Sequence, residues 1–263
     1  MLSQVLPAVR TERLPLSYLS DRKQDPRSPY GLSVADDCVS TTLRKNGSGK
    51  TLSQGSLQEL DRIMHATSYP EGALVFVEGQ SPRGIYVLCH GRAKLMATNK
   101  DGRTFILKIA EPGEILGLHS VVTGLAHELT VETLQPSQLA FIGREDFLRF
   151  LRTHGDACLY VAQQISNDCQ SAYEVIRSIG LSHSVEEKLA RVVLQWAGEA
   201  QTVNGEIRLK IALTHEEIAQ LIGTTRESVT RTMGQLKKRR ILELSGSTLH
   251  ILNKPALERL LVC

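Results

Sequence analysis

The feature that most constrains the fold is a series of six short runs of β-branched and apolar residues between positions 73 and 142, with glycines between them. Glycine adopts positive φ at no steric cost, so it is the usual residue in tight turns. Many short strands with regular turn signals indicate a sandwich or barrel. We therefore predict antiparallel strands at Ala73–Val77, Ile85–Leu88, Ala93–Ala97, Thr104–Ile109, Leu129–Thr133 and Gln138–Ile142.

Helical patterns flank this β-rich region. Residues 56–66 have helical periodicity, and a long helix is predicted from Asp156 to Ile179. Seven residues of the long helix recur at steps of three and four, which is typical of a coiled-coil seam. This seam predicts a homodimer, although it could instead pack on its own domain. The seam residues are Cys158, Val161, Ile165, Cys169, Ala172, Val175 and Ile179.

The last third of the chain contains two capping-box patterns, in which Ser or Thr is followed three residues later by Glu. They predict helices at 185–197 and 215–221, with a strand at 206–211 between them. Gly223 would make a turn, and Thr225 would cap a further helix. A hairpin from 241 to 252 follows, so this part is predicted to be a winged helix-turn-helix.

The helix that begins after Thr225 has a polar face and an apolar face. At about 100° per residue, Arg226, Glu227, Thr230 and Arg231 share one arc, and Val229, Met233 and Leu236 share the other. Arg can bond guanine and Glu can accept from cytosine in the major groove, so Arg226, Glu227 and Arg231 are the candidates for base readout. A solvated face with Arg–Glu ion pairs is the structural alternative. The candidates for helix capping or DNA backbone contact are Thr214, Thr224, Thr225, Thr230, Lys237 and Lys238.

Composition limits the other classes of protein. Hydrophobic residues make up 41% of the 263 residues, no apolar run approaches the ~18 residues of a membrane span, and no signal-peptide block begins the chain. We expect a cytoplasmic protein with no membrane partner. The five cysteines are scattered without a C-x-x-C pair, which argues against a disulfide framework or a metal site. The formal net charge is only +3, but residues 220–240 hold six basic residues and one acidic residue.

The predicted β-rich region, long helix and helix-turn-helix together resemble the Crp/Fnr family of bacterial transcription regulators over residues 56–255. The carrying motifs are LTHEEIAQLIGTTRESVTR at 213–231, the glycine spacing of 72 and 79, and PGEILG at 112–117. The resemblance implies an α+β fold: a cyclic-nucleotide-binding-type β-roll (jelly-roll-like) at 56–152, a dimerisation helix at 153–181 and a winged helix-turn-helix at 182–263. It also implies a homodimer that binds TGTGA-like half-sites in double-stranded DNA and contacts RNA polymerase.

The candidate effector pocket departs from the family pattern. Its residues by resemblance are Gly113, Glu114, Gly117, His119, His127 and Glu128. Cyclic AMP binders carry a Glu for the ribose and an Arg-Ser pair for the phosphate. Glu114 matches the Glu, but His127 and Glu128 occupy the Arg-Ser positions, and a carboxylate repels phosphate. We therefore expect an effector other than cyclic AMP.

Other cofactors of the family are not expected. An iron–sulfur cluster needs four cysteines, and the candidate region has only Cys38 and Cys89. His119 stands where haem-based sensors of the family carry a proximal histidine, but Gly117 replaces the cysteine that they pair with it. Some members have no ligand or respond through thiols, and Cys158 and Cys169 on the predicted seam leave oxidation open.

Two further interpretations remain. Residues 1–55 are rich in Ser, Pro, Arg and Asp and predict a flexible extension. Within it, Gly47 to Thr51 resembles the end of a phosphate-binding loop, but Arg44 stands where that motif needs glycine. A ligand-binding β-roll that acts on a protein partner, like a kinase regulatory subunit, is the alternative function. No nucleophile–base pair or metal cluster has a usable spacing, so an enzyme is not expected.

Overall fold

The computed structural model describes residues 30, 32, 38–45, 52–182, 184–198, 202–203, 206–210, 213–245 and 248–261. The first part of the chain contains α1 (Cys38–Lys45), α2 (Gln54–Ile63), β1 (His65–Tyr69), β2 (Leu74–Phe76), β3 (Gly84–His90), β4 (Ala93–Thr98), β5 (Thr104–Ala110), β6 (Ile115–Leu116), α3 (Leu118–Thr123), β7 (Thr130–Thr133), β8 (Ser137–Gly143), α4 (Arg144–Thr153) and α5 (Gly155–Leu181). The second part contains α6 (Val185–Gly198), β9 (Thr202–Val203), β10 (Glu206–Lys210), α7 (His215–Ile222), α8 (Arg226–Lys238), β11 (Leu242–Ser245), β12 (Thr248–Ile251) and α9 (Lys254–Arg259).

The β-roll consists of two four-stranded antiparallel sheets. One has the order β1-β8-β3-β6 and the other β2-β7-β4-β5. All six predicted strands are confirmed, with ends that differ by a few residues. The prediction lacked β1 and β6, because the sequence HATSY of β1 is mostly polar and β6 has only two residues. Apolar side chains such as Ile85, Val87 and Leu88 of β3 form the core.

The N-terminal prediction needs a correction at α1. Val39 and Leu43 on this helix are fully buried, in one core cluster with Leu57 of α2 and Phe147 of α4. Residues 38–45 are therefore an ordered helix that packs on the β-roll, because they bury apolar side chains. The sequence did not predict this helix, since the residues on both sides of it are mostly polar. Residues 1–29, 31, 33–37 and 46–51, the last range with the sequence that resembles a phosphate-binding motif, lie outside the described residues.

The long helix α5 has two apolar faces rather than one. Val161 is buried in the β-roll core, and Ile165 packs against the same cluster. Val175 and Ile179 face a cleft toward the second part of the chain. For Val161 and Ile165 the seam prediction is corrected, because their side chains pack in the core of their own chain. For Val175 and Ile179, which is 42% exposed, it stays a prediction. Cys158 and Cys169 are exposed, and Ala172 is half-buried.

The C-terminal part is a winged helix-turn-helix around its own core. Leu189 of α6, Ile218 of α7, Leu236 of α8 and Leu249 of β12 are among the buried residues of this cluster. The sheet has the order β11-β12-β10-β9 and includes the predicted hairpin at 242–251. The helices at 185–198 and 215–222 confirm the two predicted from capping boxes.

The helix-turn-helix also contacts the β-roll directly. Lys94 Nζ of β4 lies 3.0 Å from Glu217 Oε1 of α7 and 2.9 Å from Glu132 Oε1 of β7. Nearby, the Cα of Gly223 is close enough to Phe105 of β5 that a Cβ there would lie 3.7 Å from the ring. These contacts orient α7, and therefore α8, relative to the β-roll.

Candidate functional site

The exposed face of α8 is polar, as the helical periodicity predicted. Arg226, Glu227, Thr230 and Arg231 are all exposed. The opposite face is apolar core, in which Val229 and Leu236 are fully buried and Met233 is 8% exposed. The helix thus uses one face for folding and leaves the other free for a ligand.

The start of α8 is fixed by local hydrogen bonds. Thr225 is the N-cap, and its hydroxyl accepts from the Ser228 N–H at 3.3 Å. Gly223 ends α7 at a φ of 65°, which favours glycine, and the Thr224 N–H donates to the Ala219 carbonyl at 2.9 Å. These contacts fix the short turn between α7 and α8, and the turn in turn fixes the angle between the two helices.

The start of α7 carries the complete predicted capping box. Thr214 Oγ1 accepts from the Glu217 N–H at 3.2 Å, and Glu217 Oε2 accepts from the Thr214 N–H at 2.9 Å. His215 Nδ1 lies 2.9 Å from Thr230 Oγ1 and so connects the two helices. Glu217 thus combines a capping role with the ion pair to Lys94.

The charged groups on α8 differ in their surroundings. Glu227 accepts a hydrogen bond from its own backbone N–H and one from Thr225, which lowers the pKa of its carboxyl. Within the described part of the chain, Arg226 and Arg231 have no ion-pair partner. The alternative of a face closed by Arg–Glu ion pairs is thus not what the structure contains.

The basic C-terminal end of α8 is partly engaged. Lys237 Nζ lies 3.0 Å from Glu243 Oε1 on β11, and Arg239 pairs with Glu186 on α6. Lys238 is exposed. Lys237 and Arg239 therefore help to hold the wing and α6 against α8, a function that the basic run alone could not reveal.

Glu114 in the candidate effector pocket is paired inside the protein. Its carboxylate lies 2.8 Å from Lys108 Nζ, which also lies 2.9 Å from Asp168 Oδ1 on α5. Burial raises the pKa of the Glu114 carboxyl, although the charge of Lys108 offsets part of that effect. The three side chains connect β5, the 113–114 loop and α5. Lys108 and Asp168 were not predicted, because they are 60 residues apart.

The two positions of the phosphate clamp are occupied differently. His127 is only 5% exposed and stacks on Phe76 with ring centroids 3.9 Å apart. Burial lowers the pKa of this imidazole, so its neutral form is favoured. Glu128 points to the surface, where Oε1 lies 2.7 Å from His119 Nδ1. A Cβ on Gly117 would lie 3.1 Å from the His127 ring, which is a tight contact, and the φ of 77° at this position also favours glycine.

One of the six predicted pocket residues lines the large cleft of the described structure. A cleft of about 950 Å³ opens between the β-roll, α5 and the helix-turn-helix. Glu114 lines it, together with Lys108, Asp168, Arg177 and Trp196, but Gly113, Gly117, His119, His127 and Glu128 do not. In the described residues no cluster of three or more His, Cys, Asp or Glu side chains is placed to hold a metal ion. No helix in that same part of the chain is long and apolar enough to span a membrane.

Comparisons with known proteins agree with this architecture. The family model of the cyclic nucleotide-binding domain matches residues 66–154, and that of the Crp-like helix-turn-helix domain matches residues 187–260. The cAMP-activated global transcriptional regulator CRP of Pasteurella multocida is 20% identical over 70% of this chain and 88% of that protein. The transcriptional activatory protein AadR of Rhodopseudomonas palustris is 23% identical over 74% of this chain and 81% of that protein. The structure of FixK2 from Bradyrhizobium japonicum has a TM-score of 0.68 at 21% identity, covering 75% of this chain and 97% of that one.

Proposed function

Because the chain belongs to the Crp/Fnr family of DNA-binding transcription regulators, we propose that it acts as a homodimer on a palindromic operator. The observation that carries this proposal is the exposed polar face of α8, which has no ion pairs for its arginines within the described residues. Two such helices related by a two-fold axis read half-sites about one helical turn apart. The Crp-like helix-turn-helix match favours DNA over a protein partner as the target.

On this operator, Arg226 and Arg231 each bond a guanine, and Glu227 accepts from a cytosine. Thr224 lies just before α8 and Lys238 lies at its C-terminal end, and both contact phosphates. Such contacts position the protein on DNA but do not read the sequence. The TGTGA-like half-site and the contact with RNA polymerase follow from family membership. Bound at a promoter, the dimer regulates transcription through that contact.

The test of this interface is selection from random duplex DNA. The unmodified protein should select a palindrome, and Glu227→Ala should relax the preference at one base pair of each half-site, at a cost of ~1–3 kcal/mol. Lys238→Ala is the matched control, since loss of a phosphate contact weakens all sequences alike and reduces the salt dependence. A non-palindromic optimum, or an unchanged base preference in Glu227→Ala, would show that α8 does not read the bases in the major groove.

For the β-roll we propose an effector other than cyclic AMP. Support comes from the chemistry of the clamp positions, where a neutral stacked His127 and an anionic Glu128 replace a cationic site for phosphate. Glu114, the expected ribose ligand, already pairs with Lys108.

Calorimetry with cyclic AMP tests this proposal. The unmodified protein should give no micromolar binding, and the double variant His127→Arg, Glu128→Ser should bind more tightly than the unmodified protein, because it restores a cation and a hydroxyl at these positions. Micromolar binding by the unmodified protein would contradict the proposal.

A further inference from the structure

Two cysteines from distant parts of the chain meet beneath α1. Cys38 on α1 is 4% exposed, Cys89 on β3 is half-buried, and their Sγ atoms lie 2.6 Å apart. The two residues are 51 positions apart in sequence, so tertiary packing alone brings them together. A disulfide bond is about 2.05 Å long, so a small movement of the side chains would close it.

The surrounding contacts hold both cysteines in place. Val39 and Leu43, which follow Cys38 on α1, are fully buried and anchor this helix in the core. Thr42 Oγ1 donates to the Cys89 carbonyl at 3.3 Å, and the Sγ of Cys38 lies 3.8 Å from Met64 Sδ. Because the two backbones are already fixed next to each other, bond formation would require little loss of conformational freedom.

We propose that Cys38 and Cys89 form a reversible disulfide that fastens α1 covalently to β3. The oxidant is a small hydroperoxide. The thiolate of Cys89, the more exposed of the two, attacks a peroxide oxygen. The O–O bond breaks and a sulfenic acid forms, and the leaving oxygen takes up the proton that the Cys89 thiol had released, so that an alcohol leaves, or water when the oxidant is hydrogen peroxide. The sulfur of Cys38 then attacks the sulfenic sulfur, the S–O bond breaks, and the leaving hydroxide takes the Cys38 thiol proton and departs as water. Two thiols and one hydroperoxide thus give one disulfide and two oxygen-containing products, and a dithiol reductant reverses the change.

The same contact makes the reaction of Cys89 with a hydroperoxide slow at neutral pH. The hydrogen bond to Cys38, followed by burial, raises the pKa of the Cys89 thiol. Since the thiolate is the nucleophile, the oxidation rate should increase with pH. The position of the bond also matters, because the Leu88 N–H, next to Cys89, donates to the Glu114 carbonyl at 3.0 Å. The disulfide would therefore stiffen the strand that supports the 113–114 loop.

The decisive experiment maps disulfides in the full chain. The reduced protein is treated with hydrogen peroxide, free thiols are blocked with N-ethylmaleimide, and peptides are identified by mass spectrometry before and after dithiothreitol. We expect one linked peptide pair that joins Cys38 to Cys89 within a single chain, and a thermal midpoint that rises by several degrees and falls again on reduction. Cys158→Ser is the matched control and should leave both results unchanged, whereas Cys89→Ser should abolish both.

Two outcomes would overturn the proposal, and neither depends on a variant. One is that Cys38 and Cys89 of the oxidised protein both carry the maleimide. The other is that either forms its disulfide with a different cysteine. Both are read from the unmodified sequence, so the test remains valid if a substitution at the buried Cys38 prevents folding. Neither outcome bears on DNA binding by α8.

Discussion

Asp156 is a single residue that holds two elements together at the start of α5. Its carboxylate accepts from the Ser53 N–H at 2.7 Å and from the Ser56 hydroxyl at 2.7 and 2.9 Å. Ser53 is itself the N-cap of α2. The carboxylate therefore joins the first turn of α5 to the first turn of α2, 100 residues earlier in the chain.

These hydrogen bonds lower the pKa of Asp156 to about 2, and the Ser53 N–H has the largest effect. A carboxyl with a lowered pKa in the folded state stabilises the fold above its ordinary pKa, and the effect is lost as pH falls toward about 2. Asp156→Asn should therefore reduce the free energy of unfolding by ~1–2 kcal/mol at neutral pH. The difference from the unmodified protein should disappear at the acidic end of that range.

Thermal unfolding at several pH values measures this difference. Asp146→Asn is the matched control, because Asp146 forms an exposed ion pair with Arg149, and such pairs contribute little. An equal loss in both variants, or a loss for Asp156→Asn that does not depend on pH, would contradict the role given to Asp156.

Single-residue roles were predictable from sequence where the cause is local. The caps at Thr214 and Thr225 and the two faces of α8 depend only on neighbours within one or two turns, and they are confirmed. The role of Lys108 could not be predicted, because it depends on a residue far away in the sequence. Its partner Asp168 lies 60 residues away, and a single lysine in a strand pattern carries no signal about a carboxylate on another element.

At the scale of elements, helices were predicted well only where the apolar pattern is long or capped. The eight residues of α1 are too few for a clear period, and their burial depends on α2 and β3. The long α5 shows a different limit. Its steps of three and four predicted one apolar seam, but apolar residues occur on more than one face of α5. Periodicity alone does not show which of these faces packs on the β-roll.

The ion pairs of Lys94 connect two elements that belong to different domains. Lys94 on β4 is 11% exposed at its side chain, and Glu217 on α7 is 16% exposed. Burial acts to lower the pKa of Lys94, but the hydrogen bonds and charges of Glu132 and Glu217 outweigh it, so the net pKa is raised. Burial likewise acts to raise the pKa of Glu217, but hydrogen bonds from Thr214 and Lys94 outweigh it and the net pKa is lowered. The pair is thus charged over the whole neutral range.

Lys94→Met should loosen the contact between the helix-turn-helix and the β-roll, because two partly buried carboxylates would lose their shared cation. We expect a loss of roughly 1–2 kcal/mol and faster proteolysis between α5 and α6. In the unmodified protein the same contact should weaken as pH falls below the ordinary carboxyl range, since Glu217 contributes stability only while it is ionised.

Lys237→Met serves as the control, since Lys237 pairs with Glu243 inside the helix-turn-helix. It should leave the cleavage rate between α5 and α6 unchanged. If Lys94→Met shows the same cleavage rate as the unmodified protein, the ion pairs do not hold the domains together.

At the scale of the whole molecule, α5 presents an exposed row that continues along its length. The row repeats at steps of three and four, and every member is exposed in the single chain: Leu159, Ala162, Ser166, Cys169, Tyr173, Ile176 and Gly180. Tyr173 and Ile176 are 62% and 64% exposed. It is this face, rather than the predicted row through Val161 and Ile165, that the fold leaves available for a second copy.

The dimer prediction therefore applies to Ile176. Ile176→Lys would place a charge without a partner in the proposed interface, which is strongly destabilising, so the protein should be a monomer in light scattering. Asn167→Lys is the matched control, because it adds the same charge to an exposed position on another side of α5 and should remain a dimer. The monomer should also lose most of its affinity for a full palindrome while keeping the weak affinity for one half-site, since α8 itself is untouched. A dimeric Ile176→Lys would exclude this row as the interface, and with it the two-fold axis that relates the two recognition helices.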